Sequence, residues 1–193
     1  CGKFSVPSRF MAINATVFKA DLQIADMDRN HYADYSLTLA RHPSETDERL
    51  MVRLFAFVLN ADARLGFGKG LCVGDEPDLW RRDLTGAIEL WIDVGLPDEK
   101  WTRKACGRAE QVLIISYGSR AADIWWEQNR GKLGKLDNLA VLSLAPEASQ
   151  GLAALARRTM RLQCTLQDGQ AWISDGENTV HLEPIILKNH ASH

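Results

Sequence analysis

The chain has 193 residues, with 23 Lys+Arg against 25 Asp+Glu and a formal net charge of −2, a size that fits one domain with at most a short extension. Hydrophobic residues at 46% and charged residues at 25% are ordinary globular usage, which excludes a disordered, collagen-like or coiled-coil chain. No run approaches the roughly 20 apolar residues that span a bilayer, and near-neutral charge excludes a histone-like polycation while leaving room for a local basic groove that binds nucleic acid.

Residues 1–10 read as an upstream extension or cloning remnant, residues 11–187 as a single domain and residues 188–193 as a flexible tail. Ser5-Val6-Pro7-Ser8-Arg9 interrupts any apolar segment near the start, so the expected compartment is the cytoplasm of a bacterium-like cell. Thr16 to Ile24 and Tyr35 to Ala40 alternate as strands joined through Asp26-Met27-Asp28-Arg29-Asn30. Ser44 is placed to cap a helix whose first turn carries Glu45, Asp47 and Glu48, and Leu50, Met51, Leu54, Phe55, Val58 and Leu59 recur at the helical period up to about Asp62. The loop Gly66-Phe67-Gly68-Lys69-Gly70 lacks the spacing and the Lys-Ser/Thr ending of a phosphate-binding loop.

Strand-like residues follow at Leu71-Cys72-Val73 and Leu79-Trp80, and Ala87 to Val94 reads as a largely buried strand that holds two acids. Leu96-Pro97 stops it. Asp98 to Ala105 is helical and leads to the apolar strand Gln111 to Tyr117, so strand, helix and strand predict a right-handed parallel crossover. Ser119 begins a helix through Trp125 and Trp126, Asn138 to Leu144 is a strand, and Pro146 to Arg158 is a helix. Past Thr159, three short strands separated by Asp168-Gly169 and Asp175-Gly176 predict an antiparallel meander. Cys1, Cys72, Cys106 and Cys164 are far apart, which excludes a Cys-x-x-Cys zinc or redox site and predicts free buried thiols.

The stretch that carries chemistry is Asp75-Glu76-Pro77-Asp78 followed by Glu89-Leu90-Trp91-Ile92-Asp93 and then Lys100 and Lys104. On a strand Glu89, Trp91 and Asp93 share a face. Buried carboxylates need a cation, a hydrogen-bond donor or each other, and a divalent metal is one such partner, since Mg²⁺ takes hard oxygen ligands and keeps several waters. The bland alternatives are equally physical. Asp78 serves as a turn cap after Pro77, the acids from Glu45 to Glu48 suit a helix macrodipole, Lys100, Arg103 and Lys104 form a solvated helix face, and Trp125-Trp126 packs a core. His31, His42 and His181 have no metal-ligand spacing.

The segments Leu39-Ala40-Arg41-His42-Pro43-Ser44-Glu45-Thr46, Glu48-Arg49, Gly70-Leu71-Cys72, Asp75-Glu76-Pro77, Leu90-Trp91-Ile92-Asp93-Val94-Gly95-Leu96-Pro97-Asp98, Ser119-Arg120-Ala121-Ala122, Ile124-Trp125-Trp126 and Gln167-Asp168-Gly169 occur in an order that resembles the YaeQ family of bacterial proteins, from about Met11 to about Leu182. The resemblance implies an α/β fold with a variant PD-(D/E)XK, restriction-endonuclease-like core: a mixed sheet flanked by helices, with N-terminal and C-terminal antiparallel strands. It implies a Mg²⁺- or Mn²⁺-dependent phosphodiesterase acting on DNA or RNA. Asp78 and Asp93, fifteen positions apart, correspond to its metal-binding acids, and Glu48, with Glu45 as the alternative, to an acid from the first helix; Glu76 and Glu89 compete as ligands. The lysine expected two residues after Asp93 is replaced by Gly95, so Lys104, or else Lys100, is the substitute for charge stabilisation. Lys100, Arg103 and Arg120 are the candidate nucleic-acid contacts, with Arg130 beside the Trp pair. The departure at Gly95 supports a second expectation, a nuclease-fold module that binds nucleic acid or a transcription-associated partner without efficient cleavage. A third is a scaffold whose buried acids are paired by Arg81, Arg82 or Lys104.

Overall fold

Eleven strands and four helices form among the described residues of the computed structural model, which cover 14–69 and 74–191. The first two strands, β1 (Thr16–Asp26) and β2 (His31–Arg41), pair as an antiparallel hairpin as the alternation predicts. Phe18, Ala20, Leu22 and Ile24 of β1 are buried while the residues between them face water. Helix α1 (Asp47–Leu59) buries every residue from Leu50 to Val58, including Arg53. A helix apolar around most of its circumference must be covered on several sides. Its Phe57 meets Tyr35 of β2 edge to face and stacks near Phe67 of β3 (Leu65–Phe67), so α1 is held between two sheets.

The second sheet continues with β4 (Leu79–Arg82), β5 (Ile88–Val94), β6 (Ala109–Ser116), β7 (Leu139–Ser143) and β11 (Ile185–Lys188), in the order β11-β7-β6-β5-β4-β3. Strands β3, β4 and β5 are an antiparallel meander, whereas β5, β6 and β7 run parallel. The parallel links are helices α2 (Glu99–Arg108) and α3 (Arg120–Leu133), as expected from strand-helix-strand order. Leu90, Ile92 and Val94 of β5 join the core around α1, whereas Trp91 packs on the opposite face with Ala105 of α2 and Trp125 of α3. That alternation places Asp93 on the α2 side of the sheet.

The first sheet closes with α4 (Pro146–Ala154), β8 (Thr159–Gln167), β9 (Gln170–Ser174) and β10 (Thr179–Leu182), in the order β10-β9-β8-β1-β2. The predicted meander forms, but it is not a separate terminal unit. Strand β8 pairs in parallel with β1, so the first hairpin and the later meander build one five-stranded sheet. Between β8 and β9 the two-residue Asp168-Gly169 turn has positive φ at both positions, 54° and 72°, the geometry that matches hairpin twist and favours Asp-Gly.

Three boundaries differ from expectation. Thr46, not Ser44, caps α1 by accepting from the Arg49 N–H at 3.1 Å, which leaves Glu45 ahead of the helix and buried. Helix α4 ends at Ala154 rather than Arg158. The expected flexible tail is partly tied down, since Lys188 belongs to β11 and the Ala191 N–H donates to the Asp137 carbonyl at 2.9 Å. The strand-like Leu71-Cys72-Val73 and the N-terminal extension lie outside the described residues. No helix among the described residues is long and apolar enough to cross a membrane.

Candidate active site

Asp78 precedes β4, and the β4–β5 register that pairs Leu79 with Ile92 sets Asp78 opposite Asp93 one step further along. Both carboxylates line an open cleft of about 440 Å³ with Arg49, Glu76, Gly95 and Trp101. Both residues are buried, Asp78 to 7% and Asp93 to 6% exposure, so each must find compensation inside the protein. They find it differently. Asp78 Oδ1 accepts from Arg49 Nη2 at 2.6 Å, and its Oδ2 accepts from the Val94 N–H at 2.8 Å. Asp93 Oδ2 accepts from the indole Nε1 of Trp91 and of Trp101, both at 2.8 Å; no ion pair to Asp93 forms among the described residues.

Neutral donors do not offset a buried charge as a cation does. Burial, then the neighbouring charge of Asp78, pushes the Asp93 carboxyl up to about 6, against the pull of the two indoles and the Asp78 peptide N–H. Trp101 reaches this position because Asp98, immediately before α2, caps the helix by accepting from the Trp101 N–H at 2.7 Å.

Behind Asp78 stands a ladder of charges from α1. Arg49 Nη1 donates to Glu45 Oε1 at 2.9 Å, and Arg53 holds both Glu45 oxygens, at 2.8 and 2.9 Å, while its Nη2 also donates to the Ala40 carbonyl at 3.0 Å. Burial works to lower the Arg49 pKa, but the charges and hydrogen bonds of Asp78 and Glu45 prevail and hold it above the ordinary value. Arg49 stands in one of the family-like segments with no role attached to it, and Arg53 and Trp101 are site residues that no motif singles out. The signal that marks the two arginines is an i,i+4 series, Glu45, Arg49 and Arg53, the last of them within the apolar run of a helix.

The remaining candidates are brought to other places. Glu48 lies outside the cleft lining and accepts from Ser149 Oγ of α4 at 2.6 Å, whereas the alternative, Glu45, is joined to Asp78 through Arg49. Glu76 lines the cleft and accepts from the Lys69 N–H at 3.0 Å. Glu89 sits at the far end of β5, on the order of 13 Å from Asp93 along a strand, and is paired with Arg81 at 2.8 Å and Arg64 at 3.2 Å. Lys104 does not line the cleft; it pairs with Asp75 and lies 5.6 Å from the centre of the Trp101 ring. Neither Arg81 nor Lys104 therefore pairs the buried Asp78 or Asp93, and Arg82 stacks 3.8 Å from the Trp80 ring centre.

Of the candidate nucleic-acid contacts, Lys100 and Arg120 are exposed on α2 and at the start of α3, and Arg103 is paired with Glu99 at 2.8 Å. Trp125 and Trp126 pack in the second core, with Trp125 Nε1 donating to the Pro97 carbonyl at 2.8 Å. Arg130 pairs with Glu127 at 3.2 Å. Cys164 is buried and Cys106 half-buried, both as free thiols; burial raises them to about 12 and about 11, which makes them poor nucleophiles. Cys1 and Cys72 lie outside the described residues.

Among the described residues, no three or more His, Cys, Asp or Glu side chains converge on a point where they would hold an ion. The cleft instead offers a two-carboxylate set of hard oxygens, which is enough for a cation that keeps most of its waters. Asp93 fits that role, because its ionised form has no counter-charge among the described residues. Asp78 fits it to the extent that Arg49 yields Oδ1.

A family model described as YaeQ protein matches residues 11–184. The chain belongs to the YaeQ family. It is 51% identical over 172 residues to the uncharacterized protein YaeQ of Escherichia coli K12, covering 89% of this chain and 95% of that one. It is 48% identical over 173 residues to the YaeQ of Salmonella typhi, with coverage of 90% and 96%. The crystal structure of YaeQ from Xanthomonas axonopodis pv. citri matches with a TM-score of 0.88 at 51% identity, over 92% of this chain and 99% of that one. YaeQ from Pseudomonas syringae, at 29% identity, keeps a TM-score of 0.85 over 91% and 97%. The mixed α/β fold is therefore that of the YaeQ proteins, and their names state no activity.

Proposed function

We propose that the cleft hydrolyses phosphodiester bonds of DNA or RNA with the help of Mg²⁺ or Mn²⁺, in the bacterial cytoplasm, as a variant PD-(D/E)XK nuclease. The observation that carries this reading is the pair Asp78 and Asp93, set opposite each other at the open end of β4 and β5, with Asp93 buried and without a counter-charge among the described residues. The order of elements supports it as well: a helix, a three-stranded antiparallel meander, a helix and a strand parallel to the last of the meander.

Asp93 and Asp78 would hold the cation, which when bound lowers the pKa of a water and balances charge on the phosphate oxygens. The protein's own contribution is orientation. The indoles of Trp91 and Trp101 fix one Asp93 oxygen and leave Oδ1 without a side-chain donor among the described residues, and the Val94 N–H fixes Asp78. Glu76, on the rim, is the available third carboxylate.

The test is calorimetric titration of Mg²⁺ and Mn²⁺ into wild type and Asp93→Ala, followed by incubation with supercoiled DNA and structured RNA. Binding and cleavage that are both lost in the variant support the enzyme; absence of metal binding in the wild type refutes it. A second reading, a module that binds nucleic acid or a transcription-associated partner without cleaving, is favoured by Gly95. Its φ is 110°, where a lysine would be strained. Under that reading Asp93→Ala keeps full nucleic-acid binding.

A further inference from the structure

Among the described residues that line the cleft, Glu76, Asp78, Asp93 and Asp98 are acids and Arg49 is the one cation. A phosphodiester brings further negative charge, so catalysis here needs a positive group aimed at the phosphate besides the metal. The position two residues after Asp93 supplies none: Gly95 has a left-handed φ of 110°, where any side chain is strained although the space beside it is open. Lys104 is turned away onto Asp75 and Trp101.

Arg49 has what the role needs. Its side chain is 16% exposed, so one edge of the guanidinium reaches the cleft, and its Nη2 occupies the Asp78 oxygen that a cation would use. Its other nitrogen is anchored on Glu45, which Arg53 clamps through both oxygens in the core. Release from Asp78 therefore does not free Arg49 from the cleft wall. Once off Asp78, a guanidinium still held on Glu45 would present Nη2 to the cleft, and a planar guanidinium suits phosphate oxygens.

We infer that Arg49 is the resident counter-cation of the cleft: it holds Asp78 until a divalent cation competes for that carboxylate, and then turns its freed N–H groups to the substrate phosphate in place of the lysine absent at Gly95. The inference rests on the cation-dependent phosphodiesterase reading above and adds a competition that the reading alone does not require. Coupling through a shared carboxylate is reciprocal, so whatever Arg49 gains from Asp78 is subtracted from the metal's apparent affinity.

The experiment is titration of Mn²⁺ alone into the full chain, read by calorimetry and by tryptophan emission, since Trp91 and Trp101 both bond Asp93. Wild type, Arg49→Met, Arg49→Lys and Asp93→Asn are compared, folding is checked by circular dichroism, and DNA and RNA cleavage is measured at saturating Mn²⁺. Arg49→Met is expected to bind Mn²⁺ about tenfold more tightly than wild type and yet to cleave less at saturation. If that variant fails to fold, Arg49→Lys, which keeps the charge but loses the fork whose two nitrogens span Glu45 and Asp78, is expected to bind about threefold more tightly. Equal or weaker Mn²⁺ affinity in the folded Arg49 variants, with binding lost in Asp93→Asn, overturns the inference and leaves the cation reading standing. No Mn²⁺ binding by the wild type overturns both.

Discussion

Strand β5 carries one acid at each end, and the two ends show how an identical functional group is tuned by its neighbourhood. Glu89 lies toward the solvent, where hydrogen bonds from Arg64 and then Arg81 hold its carboxyl below the usual range. Asp93, four residues on, is buried beside Asp78 and receives two indole N–H groups, and its carboxyl is raised to about 6. A guanidinium stabilises the ionised form through its full charge as well as its hydrogen bonds, whereas an indole supplies a hydrogen bond without the charge, and here burial and Asp78 outweigh both indoles. The far end of β5 is thus electrostatically complete, and the cleft end is incomplete in a way that a cation or a proton would relieve.

The comparison breaks most severely at the ladder behind the cleft. Arg53→Ala leaves Glu45 buried with Arg49 as its remaining cation, and is expected to cost about 3–5 kcal/mol, measured by urea unfolding. Asp93→Asn runs the other way. Removing the buried charge is expected to stabilise the protein at pH 8 by on the order of 2 kcal/mol, and the advantage fades as the wild-type carboxyl takes up its proton. The sign follows from the raised pKa: the folded state binds the proton more tightly than the unfolded chain, so Asp93's contribution to stability is fully present below about 3.8 and is lost as pH rises through about 6. Unfolding curves of wild type and variant from pH 4 to 8 would converge at the acidic end; a constant difference refutes the assignment.

Trp101→Phe sharpens the contrast by taking away one of the two neutral donors. It is expected to cost about 2 kcal/mol above pH 6 and less below, with the pH dependence displaced upward. Glu89→Gln is the smallest change, because exposed ion pairs are screened by water and salt. Its unfolding midpoint should shift less than that of any variant above, and the shift should shrink further in 1 M salt.

Parts of this site are legible in the sequence. Asp93 stands out because an acid on an apolar strand needs a partner, and Asp78 through the family resemblance of Pro77-Asp78, at a separation of fifteen residues compatible with neighbouring strands. Glu48 is the favoured acid near the start of α1 and Glu45 the weaker one, yet it is Glu45 that is linked to the cleft, through Arg49. The reason is the cap: the helix begins at Thr46, so Glu45 folds inward ahead of it and Glu48 falls on the side facing α4. The resemblance points to Lys104 as the substitute for the lysine missing at Gly95, but on α2 it projects onto Asp75 and the Trp101 ring.

Local sequence determined the elements themselves. Period-two alternation sets β1 and β2, the 3.6-residue repeat sets α1, Asp-Gly sets the β8–β9 turn, and Trp91 and Asp93 share a face because successive side chains on a strand point to opposite sides. Tertiary structure alone decided the partners. The parallel pairing of β1 with β8, the docking of β11 on β7, the reach of Trp101 from α2 to Asp93 and the reach of Arg49 from α1 to Asp78 all join residues whose separation carries no periodic signal. A short-range pattern records which side of an element is buried; only packing of the whole chain decides which side chain meets it there, and for a buried carboxylate that identity sets its charge state.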